Sequence, residues 1–263
     1  MTLSTRTEQA GGSTARLPPD LSPGHKGKRD VRLTYWIFLA FYTVMPISLV
    51  VFARAMPPPR PDVSDVQVVQ WFTDHRTGIQ IGFVMILVTA GGAAIANGII
   101  GYHMLRMTSG KVLAYAYIGA MGVGAVPGFI LLAVCWLTAV FRPDRAPEQM
   151  HLLYDLGMLS FNGSLGCFTA AYIALALAIL YDKNKIFPKW FAYVQLWQVV
   201  TEVLATLMFV YRSGVYSWNG AITFWIAVAV FGSWVVCLVP ILWRAGKAEP
   251  DDLPGIYATE LAT

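Results

Sequence analysis

Four polar side chains interrupt the apolar stretch from Pro188 to Arg212, PKWFAYVQLWQVVTEVLATLMFVYR: Gln195, Gln198, Glu202 and Thr206. Their spacing of three, four and four residues puts all four on one stripe of a helix. A carboxylate inside a membrane span costs on the order of a few kcal/mol or more. Two chemistries follow from such a group. Glu202 is a neutral acid in a buried polar network that fixes helix register, or it is a proton-carrying or ligand-binding carboxylate in a cavity open to the outer side.

The preceding span supplies facing groups. Asn162 and Glu202 each lie nine residues from the outer end of their span, about 13 Å deep at the helical rise. A short loop joins the two spans, so they are expected to be neighbours. The stripe on the fifth span then faces Asp155, Asn162 and Thr169 on the fourth. Thr89, on the second span, falls near the same depth.

Two further clusters carry weaker chemistry. Asp74 and His75 precede the second span, and Glu148, His151 and Asp155 share one face at the start of the fourth. Carboxylate with imidazole at such spacing holds a metal or runs acid–base chemistry. Two histidines are few for a metal centre, so a solvated loop is expected and no metal is assigned. His103 and Arg106 sit at the inner end of the second span, where a headgroup contact is the simplest role. A haem-binding bundle needs paired histidines on facing helices, and His103 has no such mate. The chain has no G-x-x-x-x-G-K-[ST], H-E-x-x-H or G-x-S-x-G. Cys135, Cys167 and Cys237 all fall inside apolar runs without C-x-x-C spacing, so they read as small apolar fillers. No cofactor is expected.

The elements that must hold these groups are membrane spans. The 263 residues are 56% hydrophobic and 13% charged, against about a quarter charged in a soluble domain. The basic residues lie at the ends of apolar runs and form no aromatic-studded patch, which argues against a nucleic-acid partner. The expectation is an all-α polytopic membrane bundle of six transmembrane helices, at about 34–53, 78–104, 112–141, 153–181, 189–211 and 219–243. These make one domain, 34–244. Residues 1–33 read as a disordered cytoplasmic tail and 245–263 as a short C-terminal one. Pro46, Pro127 and Pro240 lie inside spans and are expected to kink them.

Orientation follows from charge. With both termini in the cytoplasm, the tail, the turn around Arg106 and Lys111, the Lys183–Lys189 loop and the C-terminal end collect 13 of the 19 Lys and Arg. The reverse arrangement would translocate all of them, so N-in and C-in is the expected topology, in a bacterial inner (plasma) membrane. The first outer loop carries SDVQVVQWFTDHR, with Ser64 as N-cap, Asp65 in the first turn, and Val66, Val69 and Phe72 on one face. It predicts a short amphipathic helix at the interface. Tyr35, Trp36, Trp190, Tyr193, Tyr211, Trp218 and Trp243 mark span ends as an aromatic belt. Small residues at four-residue spacing (Gly92 with Ala96, Ala94 with Gly98, Gly124 with Gly128, Ser160 with Ser164) predict close packing of spans two to four.

DKNKIFPKWFAYVQLW, the later SWNG and FRPDRAPEQMHLLYDLGML resemble a group of uncharacterised six-span bacterial inner-membrane proteins common in actinobacteria. The resemblance covers roughly the second half of the chain. It implies a fold and a membrane and brings no catalytic residue.

Three functions are consistent with these residues. The preferred one is an inner-membrane protein whose helices enclose a polar cavity at Glu202, lined from Asn162, Gln198, Asp155, Gln195, Thr206 and Thr89. It would bind or pass a small amphipathic molecule. The second is a membrane-embedded enzyme using Glu202 or Asp155 as general acid on a lipid-like substrate. The third is a structural or accessory subunit in which the polar residues only set register.

Overall fold

Local sequence signals start and stop the helices of the computed structural model, which describes residues 26–142 and 144–248. Helix α1 covers Lys26–Pro46 and continues as a π-helical segment, Ile47–Phe52. Helix α2, Asp65–Asp74, opens on a capping box: Ser64 Oγ accepts from the Gln67 N–H, and the Gln67 side chain accepts from the Ser64 N–H. Helices α3, Arg76–Thr89, and α4, Gly91–Leu105, meet at a 43° bend. Helix α5, Lys111–Phe141, follows Gly110 at φ 107° and runs on through Pro127. Helix α6, Pro147–Asn162, has Pro in its first turn with Glu148 behind it. A break at Gly163 and Ser164 separates it from α7, Leu165–Tyr181. Helix α8, Trp190–Ala205, tightens into a 3₁₀ turn, Thr206–Phe209. A second π-helical segment, Ala221–Ile226, leads into α9, Ala227–Lys247.

The described residues are all-helical, without strands. Five helices are long and apolar enough to cross a membrane, and six if the bent pair α3–α4 counts as one span. Residues 26–33, read from the sequence as part of a tail, are helical, because α1 begins at Lys26. Residues 1–25 and 249–263, to which the remaining tail readings apply, lie outside the described residues.

The helices close a ring in the order α1, α4, α5, α7, α8 and α9, with α9 returning to α1. At the end of the bundle where α1 begins and α9 ends (the near end), the core centres on Phe38, Tyr117, Phe191 and Trp234. At the far end a second core gathers α2, α3, α5 and α6 around Trp136, Tyr154, Phe72 and Phe83. Trp136 stacks on Tyr154 with centroids 5.7 Å apart. The predicted short helix α2 forms, but it docks on α6 through Val68 and Phe72. Val66 is 75% exposed, so the apolar face is the 68/72 pair rather than the one that includes Val66.

Inter-helix loops are fastened by hydrogen bonds. Lys189 Nζ donates to the carbonyls of Ile179 (2.6 Å), Leu180 and Asp182 (2.9 Å), satisfying the open end of α7. The Asp182 carboxylate accepts from the backbone N–H groups of Thr108 (3.0 Å), Asn184 (2.9 Å) and Ile186 (2.8 Å). At the far end, Trp218 Nε1 donates to the Pro59 carbonyl (2.7 Å) and Tyr154 Oη to that of Arg60 (2.8 Å). Trp218, and Tyr35 whose hydroxyl donates to the Val239 carbonyl (3.4 Å), are buried, unlike the other aromatics predicted for the belt.

Candidate functional site: a cavity at Glu202

Small residues of α4 and α5 (Ala93, Gly124, Ala125 and Gly128) and the two π-helical segments border an unfilled space at the centre of the ring. The cavity there measures about 650 Å³, within the range of roughly 300–1,000 Å³ that holds small organic ligands. Its walls come from every helix of the ring and from the end of α6. They draw on both cores. Both π segments contribute: Leu49 and Val50 from the first, Thr223, Phe224 and Trp225 from the second. π-helical turns widen a helix and recur at functional sites.

Three residues singled out in the sequence line this cavity together: Glu202, Gln198 and Asn162. Glu202 is half-buried, and its carboxylate makes no hydrogen bond or ion pair among the described residues. Gln198, 1% exposed, leaves its amide nitrogen without a partner. Asn162 donates to the Met158 carbonyl (2.9 Å), which leaves its side-chain oxygen free. Glu202 and Asn162 share the cavity without bonding each other.

The other four predicted lining residues stand apart. Gln195 is fully buried behind the wall and accepts from Trp234 Nε1 (2.9 Å), so it holds a lining ring in place. Thr206 is exposed and bonds the Val203 carbonyl. The α-helix ends at Ala205, and the tighter 3₁₀ turn rotates residue 206 off the stripe. Thr89 bonds the Met85 carbonyl within α3. Asp155 faces the far end, where its Oδ1 lies 3.8 Å from His151 Nε2.

That far-end cluster is assembled differently from its sequence reading. His151 Nδ1 meets Asp65 Oδ1 of α2 at 2.5 Å, while Glu148 is exposed. His75 stacks on Trp71 (5.0 Å) and bonds its carbonyl. Asp74 accepts from Gln70. No group of three metal-ligating side chains is found among the described residues. His103 is fully buried rather than at a headgroup surface, because Arg106 folds back to donate to its Nδ1 (2.9 Å) and to the Ala245 carbonyl (3.1 Å).

Several cavity residues carry no sequence stripe. Asn97, 5% exposed, accepts from Tyr117 Oη (3.0 Å) and donates to the Ala93 carbonyl (2.8 Å). An amide inside TAGGAAIANGIIG was the available signal, masked by the small-residue pattern around it. Tyr42 and Tyr172 reach the cavity as members of aromatic runs, where a hydroxyl leaves no periodic trace. At the rim, Val50 and Trp225 of the π segments that adjoin α1 and α9, with Val228 and Val236 of α9, are 42–70% exposed. These two helices touch near Tyr35 and Trp243, and the cavity rim lies farther along both. No protein-family model matches this chain, and neither the curated proteins nor the solved structures yield a match.

Proposed function

We propose that this chain is a six-span protein of a bacterial inner membrane, with both termini cytoplasmic, that binds or passes a small amphipathic molecule in the cavity at Glu202. The single observation that carries this reading is the cavity itself: about 650 Å³, mostly apolar, with a half-buried carboxylate and an unpartnered amide on one wall. An apolar volume with few convergent polar groups is the usual form of a small-molecule site. The exposed rim on the two π segments and α9 supports access from the lipid phase. In the bent-pair count of α3–α4, six apolar helices fit the basic-residue pattern that keeps both ends in the cytoplasm.

The test fills the cavity. Gly232 lines it, and a Cβ there meets nothing within 4 Å. Gly232→Trp should therefore occupy the space without clashing with the helix neighbours. Saturable binding of the apolar dye N-phenyl-1-naphthylamine to protein in nanodiscs is expected for the wild type and lost in the variant. Wild-type binding no greater than that of empty nanodiscs would overturn the reading.

A further inference from the structure

We infer that the ligand class of this cavity is a lipophilic amine carried as its ammonium ion, a conclusion that rests on the cavity being a ligand site. Charge comes first. Among the described residues that line the cavity, Glu202 is the one acid, and there is no Lys, Arg or His. A carboxylate away from water is stabilised by an opposite charge close by, and none of the described lining residues supplies one. An anionic amphiphile would set like charge beside Glu202. A neutral one leaves the carboxylate without a counter-ion.

The walls point the same way. Ten aromatic rings line the cavity, Phe41, Tyr42, Phe161, Tyr172, Trp225 and Trp234 among them. An ammonium over a ring face gains more when desolvated than at an exposed site. Aliphatic side chains would have served a purely apolar guest equally well. Hydrogen-bond capacity completes the match. Gln198 stands one helical turn before Glu202, buried and with its amide unpartnered. Turned by half a revolution, that amide presents its oxygen where the unpartnered nitrogen now stands. The free oxygen of Asn162 is a third acceptor on the same cavity. An ammonium head has N–H groups to donate to all three, and an alkyl or ring body fills the apolar remainder.

The experiment uses three probes of one chain length: dodecylammonium, dodecanol and dodecyl sulfate. Saturable binding to full-length protein in nanodiscs is measured by equilibrium dialysis at neutral pH, against empty nanodiscs. The wild type is expected to prefer dodecylammonium over dodecanol by at least roughly tenfold. Glu202→Gln, which keeps shape and hydrogen bonding, should lose that preference. Thermal unfolding in detergent that matches the wild type shows that the variant is folded. Equal or tighter binding of dodecanol or dodecyl sulfate by the wild type overturns the amine assignment and leaves the cavity reading standing. So does an undiminished preference in Glu202→Gln. Absence of saturable binding for all three probes overturns the cavity reading itself.

Discussion

Asp182 shows how much one side chain does outside the spans. Burial raises its pKa, but the N–H groups of Thr108, Ile186 and Asn184 and the Thr108 hydroxyl outweigh it, so the carboxyl titrates below the ordinary Asp range. A lowered folded pKa adds stability that is fully present above the unfolded value, near ~3.9, and is lost as pH falls through the folded value. Asp182→Asn should therefore lower stability at neutral pH by about 1–3 kcal/mol, the range for weakened hydrogen bonds to a charged group. The gap to wild type should close as pH drops below ~4. Thermal unfolding in detergent at several pH values checks this, and a gap constant with pH would remove the carboxylate from the account. Residues of this kind were poorly legible in the sequence. Asp182 sits in a loop rich in Lys and reads there as part of a charge pattern. Its partners Asn184 and Ile186 are local, but Thr108 lies 74 positions away. Glu202, Gln198 and Asn162 were legible because a polar group in an apolar run needs a reason wherever it falls. Thr206 was misread because spacing assumes that the α-helix continues.

At the scale of elements, small residues decide where helices touch, and their spacing alone does not say which pairs do. Gly124 meets Cys167 and Gly128 meets the Phe161 carbonyl, as close packing of spans three and four requires, whereas Gly92 meets Phe41 of the first span. Ala94 and Gly98 have the same four-residue spacing, yet Ala94 is exposed and a Cβ at Gly98 would meet nothing within 4 Å. Both stripes run along one helix, and only burial by a neighbour distinguishes them. Gly78 and Gly82 of α3 share that spacing and press on the first π segment, where a Cβ on Gly78 would overlap the Phe52 carbonyl oxygen. A Cβ on Gly82 of α3 would stand 2.6 Å from the Ser48 carbonyl oxygen and 2.7 Å from the Ala53 nitrogen. Both are backbone atoms at the end of the first π segment, and they cannot swing aside as a side chain would. Gly82→Ala should cost about 1–3 kcal/mol by overpacking and displace the π segment that walls the cavity. Gly98→Ala, in the adjoining helix, should be neutral or gain up to about 1 kcal/mol from helix propensity. Thermal unfolding of the two variants side by side tests the contrast, and equal stabilities would contradict the packing of α3 on that segment.

For the whole molecule, the decisive question is which way the ring stands in the bilayer. Folded contacts hide part of the charge that would orient it. Lys189 is spent on the end of α7, Arg106 lies against His103 and α9, and Arg60 is bonded to Asp62. If orientation were set by the finished surface, these groups would carry little weight on either side. Spans are oriented as the chain inserts, before α7 has a Lys189 to cap it, so each cation counts at its loop. In the proposed six-span topology all seven Lys would lie on one side, against Arg54, Arg60, Arg76, Arg142, Arg145 and Arg212 on the other. A phosphatase reporter fused after Thr263 should thus be inactive, and one inserted in the loop between α5 and α6 should be active. An active C-terminal fusion would invert the bundle. It would turn the far-end lobe of α2 and α6, with its Asp65–His151 pair, toward the cytoplasm, and put the Asp182 staple on the outside.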